Sequence, residues 1–83
     1  MALALTYNGK ENCYLKAVPT TINEIYVDEI KTFTTYVIYS ISTEIGGEII
    51  FRDGFEMEFN TEESIFIQCY NYLKSIYKET TDI

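Results

Sequence analysis

The chain has 83 residues, of which 13 are acidic and six are basic, and it contains no histidine and no tryptophan. Its length is that of one domain, and its core is small because so short a chain buries only about 60% of its unfolded surface. Without histidine there is no Ser–His or Cys–His catalytic pair and no metal site built on imidazole.

The formal net charge is −7, and the basic residues are scattered. Binding to nucleic acid or to an anionic membrane depends mainly on clustered Lys and Arg, so neither partner is predicted. The acidic surface either meets a basic partner or only keeps a small domain in solution.

Cys13 and Cys69 are far apart in the sequence. Two cysteines are more typical of a reduced intracellular protein than of a secreted disulfide framework, although one bridge between them is the alternative. The first residues lack the positive region of a signal peptide, and no apolar run approaches the about 20 residues of a membrane span. We therefore expect the chain to be made in a cytoplasm and to stay there unless assembly carries it elsewhere.

The first predicted elements are three strands. Residues 2–7 alternate between apolar and other positions and form a strand or an extended arm. Residues 13–18 form a strand that Pro19 ends, because proline cannot donate to a central ladder. Residues 23–30 form a weaker strand.

Residues 32–43 are β-branched and aromatic almost throughout and give the strongest strand signal. Residues 48–59, which follow Gly46-Gly47, have two interpretations. Asp53-Gly54 either makes a hairpin turn or lies in one long strand that is kinked or bulged there. Apolar residues alternate from Ile49 to Phe59, interrupted at Asp53, and favour one strand, because a turn would place two of them opposite glutamates.

The two strongest strands predict an apolar surface on both sides of the sheet. A two-residue turn at Gly46-Gly47 places Ile38 opposite Phe55, on the face that the helix covers. The odd-numbered residues of the strand 32–43 then lie on the second face. One helix cannot cover both faces, so we expect another chain on the second face, with coverage by the N-terminal segments as the alternative. The candidate interface residues are Phe33, Val37, Tyr39 and Ile41.

Residues 61–78 are predicted to form a helix, with Asn60 as N-cap and Glu63 completing a capping box. Apolar residues recur at helical spacing: Ile65, Phe66, Cys69, Tyr72, Leu73 and Ile76. The predicted fold class is α+β, one domain over residues 1–83. It is an antiparallel sheet of three or four strands, a β-meander, with one C-terminal helix packed on one face.

No residue pattern indicates catalysis, a metal or a cofactor. Glu56 and Glu58 share one strand face, but a calcium or magnesium site needs more converging oxygens. No glycine-rich phosphate loop is present, and neither cysteine has a neighbour that would activate it. We expect a protein that is not an enzyme, whose eight tyrosines suit contacts with other proteins.

Both ends of the chain carry local motifs. Met1–Gly9 and Cys13–Val18 form a Met-Ala-Leu-like strand and a strand with tyrosine and lysine. Tyr70–Ile76 contains Tyr-x-x-Leu-Lys, and a Thr-Asp pair, Thr81-Asp82, stands just before the last residue. These features resemble small virion structural proteins of tailed bacteriophages, especially marine ones. The chain departs from them at Tyr77–Glu79, where Pro-Glu-Phe often stands in that family.

The resemblance implies a virion component, such as a capsid decoration, connector or tail protein, assembled in the host cytoplasm. It would act by binding itself, as a homo-oligomer, or larger virion proteins, without catalytic residues. The alternative is a small acidic phage-encoded inhibitor that mimics nucleic acid and blocks a host DNA-binding enzyme. The net charge fits that alternative, but the large apolar fraction and the interleaved acidic residues do not.

Overall fold

The structure, a computed structural model, describes residues 2–83; Met1, the first residue of the predicted domain, lies outside them. It is α+β: one antiparallel sheet of five strands with one helix against it. In chain order the elements are β1 (Leu3–Tyr7), β2 (Lys10–Val27), β3 (Ile30–Ser42), β4 (Ile49–Phe59), α1 (Ile65–Ile76) and β5 (Thr81–Asp82). Across the sheet the strands run β4-β3-β2-β1-β5.

Two tight turns join the first three strands. Asn8 and Gly9 connect β1 to β2, and Asp28 and Glu29 connect β2 to β3; all four have positive φ. Positive φ at both central residues is typical of a type I′ hairpin turn, whose twist matches that of the strands it joins. The hairpin of β2 and β3 is therefore continuous and long.

The prediction of a strand that ends at Pro19 is wrong. Residues 13–18 and 23–30 fall mainly in one strand of 18 residues, β2, whose ladder with β3 is interrupted only between Pro19 and Thr21. The pairing of β1 with β2 stops at Leu15, so among the described residues no strand lies on the outer side of β2 at Pro19. Proline is tolerated at such an edge and beside a bulge, because no ladder bond is lost.

The predicted register between β3 and β4 is also wrong. The connecting turn is longer than Gly46-Gly47: Thr43 N–H donates to the Glu48 carbonyl oxygen at 3.1 Å. The loop is therefore two residues longer than predicted. Ile50 is an extra residue in β4, because Ile41 pairs with Phe51 whereas Ser42 pairs with Ile49. The net slip is one residue, so Val37 rather than Ile38 lies opposite Phe55. A slip of one residue turns every β3 side chain to the other face.

β4 is one strand, as the alternation of its apolar residues favoured, but it has no register shift at Asp53-Gly54. Gly54 pairs in register with Ile38. A Cβ atom on Gly54 would come within 2.5 Å of the Tyr36 hydroxyl oxygen. The Tyr36 ring therefore lies directly over Gly54, and a larger residue there would displace that ring.

The helix begins later than predicted, at Ile65, with Ser64 in the N-cap position and no side-chain capping bond. The predicted capping box of Asn60 and Glu63 is therefore wrong. Asn60 instead belongs to the preceding loop, where its side-chain oxygen accepts a hydrogen bond from Glu62 N–H at 3.1 Å. Gln68 on α1 holds this loop: its Oε1 accepts Asn60 N–H at 3.0 Å, and its Nε2 donates to the Asn60 carbonyl at 2.8 Å.

The core lies between α1 and one face of the sheet. Its buried apolar members are Leu3, Leu5, Cys13, Leu15, Ala17, Val37, Tyr39, Ile41, Cys69, Tyr70 and Leu73. None of the helical segments in residues 2–83 has the length and apolar character needed to cross a membrane.

Candidate interaction surface

The four predicted interface residues lie on the face of the sheet that α1 covers. Val37 and Ile41 are fully buried and Tyr39 is 6% exposed, so the predicted face assignment is reversed. Phe33 lies further along the same face, half-buried, with its ring 5.9 Å from that of Phe59. The cause is the one-residue slip between β3 and β4, which exchanged the two sets of β3 side chains.

Aromatic rings fill the side of the core next to β4. The Tyr39 ring lies about 6 Å from the rings of Phe51, Phe55 and Tyr77. Its hydroxyl is 2.9 Å from the Tyr77 hydroxyl. Burial raises the pKa of Tyr39, and the hydrogen bond with Tyr77 raises it further. These contacts place Tyr39 in the structural core rather than in a site open to a partner.

The opposite side of the sheet, which we call the open face, has no helix over it. Paired residues on antiparallel strands share a face, so its side chains stand in rows across β2, β3 and β4. The central row is Val18, Ile38 and Gly54, and Tyr36 from the next row covers Gly54. Val18, Ile38 and Tyr36 are 46%, 44% and 41% exposed, so a strip of apolar surface crosses the middle of this face.

Charged residues flank this strip. On the side towards the turn of residues 43–48, Lys16, Ser40 and Arg52 form one row. On the other side, Glu56 pairs with Tyr36 and Glu58 pairs with Thr34. Within residues 2–83 the ion pairs are Glu24–Lys31 and Lys74–Asp82. The two cations and the two glutamates of the open face are therefore not paired with each other.

The hairpin of β2 and β3 projects beyond the rest of the sheet. The last paired residues of β4 and β3 are Phe59 and Phe33, so residues 25–32 form a ribbon of two strands only. We call residues 22–31 the arm; its base, residues 22–24, still lies beside the part of β3 that pairs with β4. Every residue of the arm is exposed, and most of its large apolar side chains are more than half exposed: Ile22, Tyr26, Val27 and Ile30.

Polar contacts order the base of the arm. Lys31 Nζ lies 3.0 Å from a Glu24 carboxylate oxygen across the ladder and 5.0 Å from the centre of the Phe33 ring. The hydrogen bond with Glu24 raises the pKa of Lys31. The Thr32 hydroxyl donates to the Ile25 carbonyl oxygen at 3.2 Å. The tip, with Asp28 and Glu29, carries two further acidic side chains.

The cysteines and the acidic side chains are the remaining candidates for chemistry. Within residues 2–83 no three His, Cys, Asp or Glu side chains converge as metal ligands. Cys13 and Cys69 are both buried as free thiols, and burial raises the pKa of Cys69, which keeps that thiol protonated. A hollow of about 480 Å³ beside Phe33 and Phe59 is bordered by Lys31, Glu58 and Gln68. Its lining also includes Thr32, Thr61 and Glu62.

The sequence did not point to the arm as a candidate surface, because residues 23–30 were predicted only as a weak strand. Its signal is visible in retrospect: Val27 and Ile30 flank two acidic residues and are β-branched, which is typical of a hairpin around a short turn. Ile38 was predicted to lie opposite Phe55, on the face that the helix covers, but it lies on the open face.

Comparison with protein-family models, with curated proteins and with solved structures found no match.

Proposed function

We propose that this protein is a non-catalytic assembly protein that acts by docking onto other protein surfaces through the open face and the arm. The main support is the number of apolar side chains that are exposed, compared with the number that are buried. Among residues 2–83, sixteen large apolar side chains are exposed, whereas eleven apolar residues are buried. Extended apolar surface on a small domain is typical of a surface that another molecule covers.

The setting that we propose is the virion of a tailed bacteriophage, as a capsid, connector or tail component. The support for this is the resemblance of the two ends of the chain to small phage structural proteins. A particle offers repeated protein surfaces on which an exposed apolar arm such as Ile22–Lys31 could dock. The acidic residues around the apolar patches would form the polar rim that interfaces usually have.

The test is whether the chain enters particles, and whether the arm is needed. Mass spectrometry of purified particles should detect the wild-type chain. The variant Ile22→Ser/Ile30→Ser should fold but be lost from particles. A control, Ile76→Ser/Ile83→Ser, changes two isoleucines that are about half exposed and lie outside the arm and the open face, and it should still be incorporated. Absence of the wild-type chain from particles would refute the proposal.

The competing function is a nucleic-acid mimic that blocks a host DNA-binding enzyme. Net charge −7 and the acidic tip of the arm support it. It has less support than assembly, because Lys16 and Arg52 interrupt the acidic surface on the open face. Inhibition of such an enzyme by the purified protein, weakening as salt is added, would replace the assembly proposal.

A further inference from the structure

We propose that a second copy of this chain covers the open face. The two copies stack face to face about a two-fold axis that lies between the two sheets, runs perpendicular to the strands and passes over Ile38. The proposal rests on the proposed function, since it names the first partner of that surface. In this arrangement the strands of the two copies run in opposite directions. Each contact away from the axis then occurs twice, as in any isologous dimer.

The spacing of the rows sets the arrangement. Lys16, Ser40 and Arg52 lie two residues from the Ile38 row on one side, and Tyr36 and Glu56 lie two residues from it on the other. At a rise of about 3.4 Å per residue, both rows are about 7 Å from the axis. A two-fold rotation about that axis therefore places Arg52 of one copy over Glu56 of its partner on the same strand, β4.

Charge makes the open face complementary to itself. Arg52 has no acidic partner among the described residues, and Glu56 has no basic one. About 13 Å separates them along β4, too far for an ion pair within one chain. Rotation brings the half with Lys16 and Arg52 onto the half with Glu56 and Glu58. Opposite charges then meet on both sides of the axis, an arrangement that favours this register over others.

The middle of the interface would be apolar. Val18 and Ile38 lie at the axis, beside the Tyr36 ring that covers Gly54. A shallow hollow of about 440 Å³ lies between Lys16, Ile38 and Arg52. The rotation places the partner's Tyr36 over this hollow. An apolar centre with a charged rim is the usual anatomy of a protein interface.

The arm would stay outside the dimer. The sheet extends only about 13 Å from Ile38 to Ser42, whereas it continues about 27 Å from Ile38 to Ile30. Two copies centred on Ile38 therefore overlap only within about 13 Å of the axis on each side. The two arms project from opposite ends, free to bind another protein.

Charge exchange between two variants tests this register. Arg52→Glu should place its new carboxylate over Glu56 of its partner, and Glu56→Arg should place two arginines together. Each variant alone should dimerise about tenfold or more weakly than the wild type, because like charges meet at both symmetry-related positions. An equal mixture of the two should recover dimers, which native mass spectrometry should identify as heterodimers.

The matched controls make the same charge changes away from the open face. Lys78→Glu and Glu63→Arg are exposed positions outside the sheet and should dimerise as the wild type does, alone and mixed. Circular dichroism of every variant should show that each remains folded.

A wild-type chain that sediments as a monomer, or dimers that the two charge reversals leave unchanged, would overturn the proposed dimer. The same result would leave the proposed function standing if the chain is still found in particles. A chain absent from particles but dimeric in this register would refute the proposed function instead.

Discussion

Tyr70 shows how one side chain can complete the backbone hydrogen bonding of a strand. Its hydroxyl oxygen accepts a hydrogen bond from Ala17 N–H at 2.9 Å. Ala17 lies just beyond Leu15, where the pairing of β2 with β1 stops, so this N–H has no strand to bind. Both residues are nearly fully buried. Because an unpaired buried N–H is costly, the Tyr70 hydroxyl substitutes for the missing strand.

Tyr70→Phe should therefore lower the free energy of unfolding by about 1–3 kcal/mol, since it leaves the buried Ala17 N–H without this acceptor. Denaturant unfolding followed by circular dichroism measures the change. The control Tyr26→Phe removes the same atom from a side chain that is 66% exposed. It should alter the stability by no more than about 0.5 kcal/mol. Equal effects of the two substitutions would contradict this role of Tyr70.

Tyr39 should make the stability of the fold dependent on alkaline pH. Burial, and then its hydrogen bond with Tyr77, raise the pKa of Tyr39 in the folded chain. In the unfolded chain this hydroxyl loses its proton near pH 10. The neutral form is favoured by folding, so its contribution is fully present below about pH 10 and is lost as the pH rises towards the folded pKa.

Unfolding of the wild type in denaturant should accordingly become easier above about pH 10. The variant Tyr39→Phe lacks this titration and should lose stability less steeply over the same range. Parallel pH profiles for the two proteins would show that Tyr39 does not contribute to the dependence.

At the scale of elements, the hairpin of β2 and β3 depends on an unusual turn. Asp28 and Glu29 have φ values of 51° and 67°. A side chain in this left-handed region costs about 1 kcal/mol or more, because Cβ approaches the following carbonyl oxygen. Glycine is the usual residue at the second position of such a turn, as at Gly9 in the turn between β1 and β2. The arm is therefore less stable than it would be with glycine in this turn.

Glu29→Gly should stabilise the arm by about 1 kcal/mol, since it removes the Cβ atom from a left-handed position. Amide hydrogen exchange at Val27 and Ile30 should slow accordingly. The matched control Glu62→Gly removes the same side chain where φ is not positive and should not slow exchange in the arm. Unchanged or faster exchange in the Glu29 variant would show that the turn does not limit the arm.

The whole molecule is long and narrow, with extents of 47, 19 and 18 Å. The core occupies the end with the helix, where five strands and α1 meet. The other end is the arm, whose side chains make no part of that core. A hairpin of two strands is only marginally stable in water. The molecule therefore combines a stable body with a weakly held projection.

Hydrogen exchange should divide the free chain in the same way. Amides of the arm should exchange quickly, through local opening of the hairpin. Those of Leu15 and Ile41 in the core should exchange only when the whole domain unfolds. Similar protection in both regions would contradict the prediction that the arm opens independently of the core.

Much of the local structure was predictable from the sequence. The β-branched and aromatic residues at 32–43 and the alternation of apolar residues within 48–59 identified two strands, and the helical spacing of apolar residues identified α1. The two-residue strand β5 was not predicted, because it has no pattern of its own and depends on pairing with Leu3 and Ala4. The contact of Tyr70 with Ala17 spans 53 residues. No local periodicity could indicate it.

The sequence by itself determined that the chain is α+β and, between the bulges, which residues of a strand share a face, because the period of a strand is fixed by backbone geometry. Only the tertiary structure decided which face the helix covers. That choice depends on the length of the turn at residues 43–48 and on one extra residue, Ile50, because an odd net shift exchanges the faces. Val37, Tyr39 and Ile41 are core residues for this reason, while Tyr36 and Ile38 lie exposed on the open face.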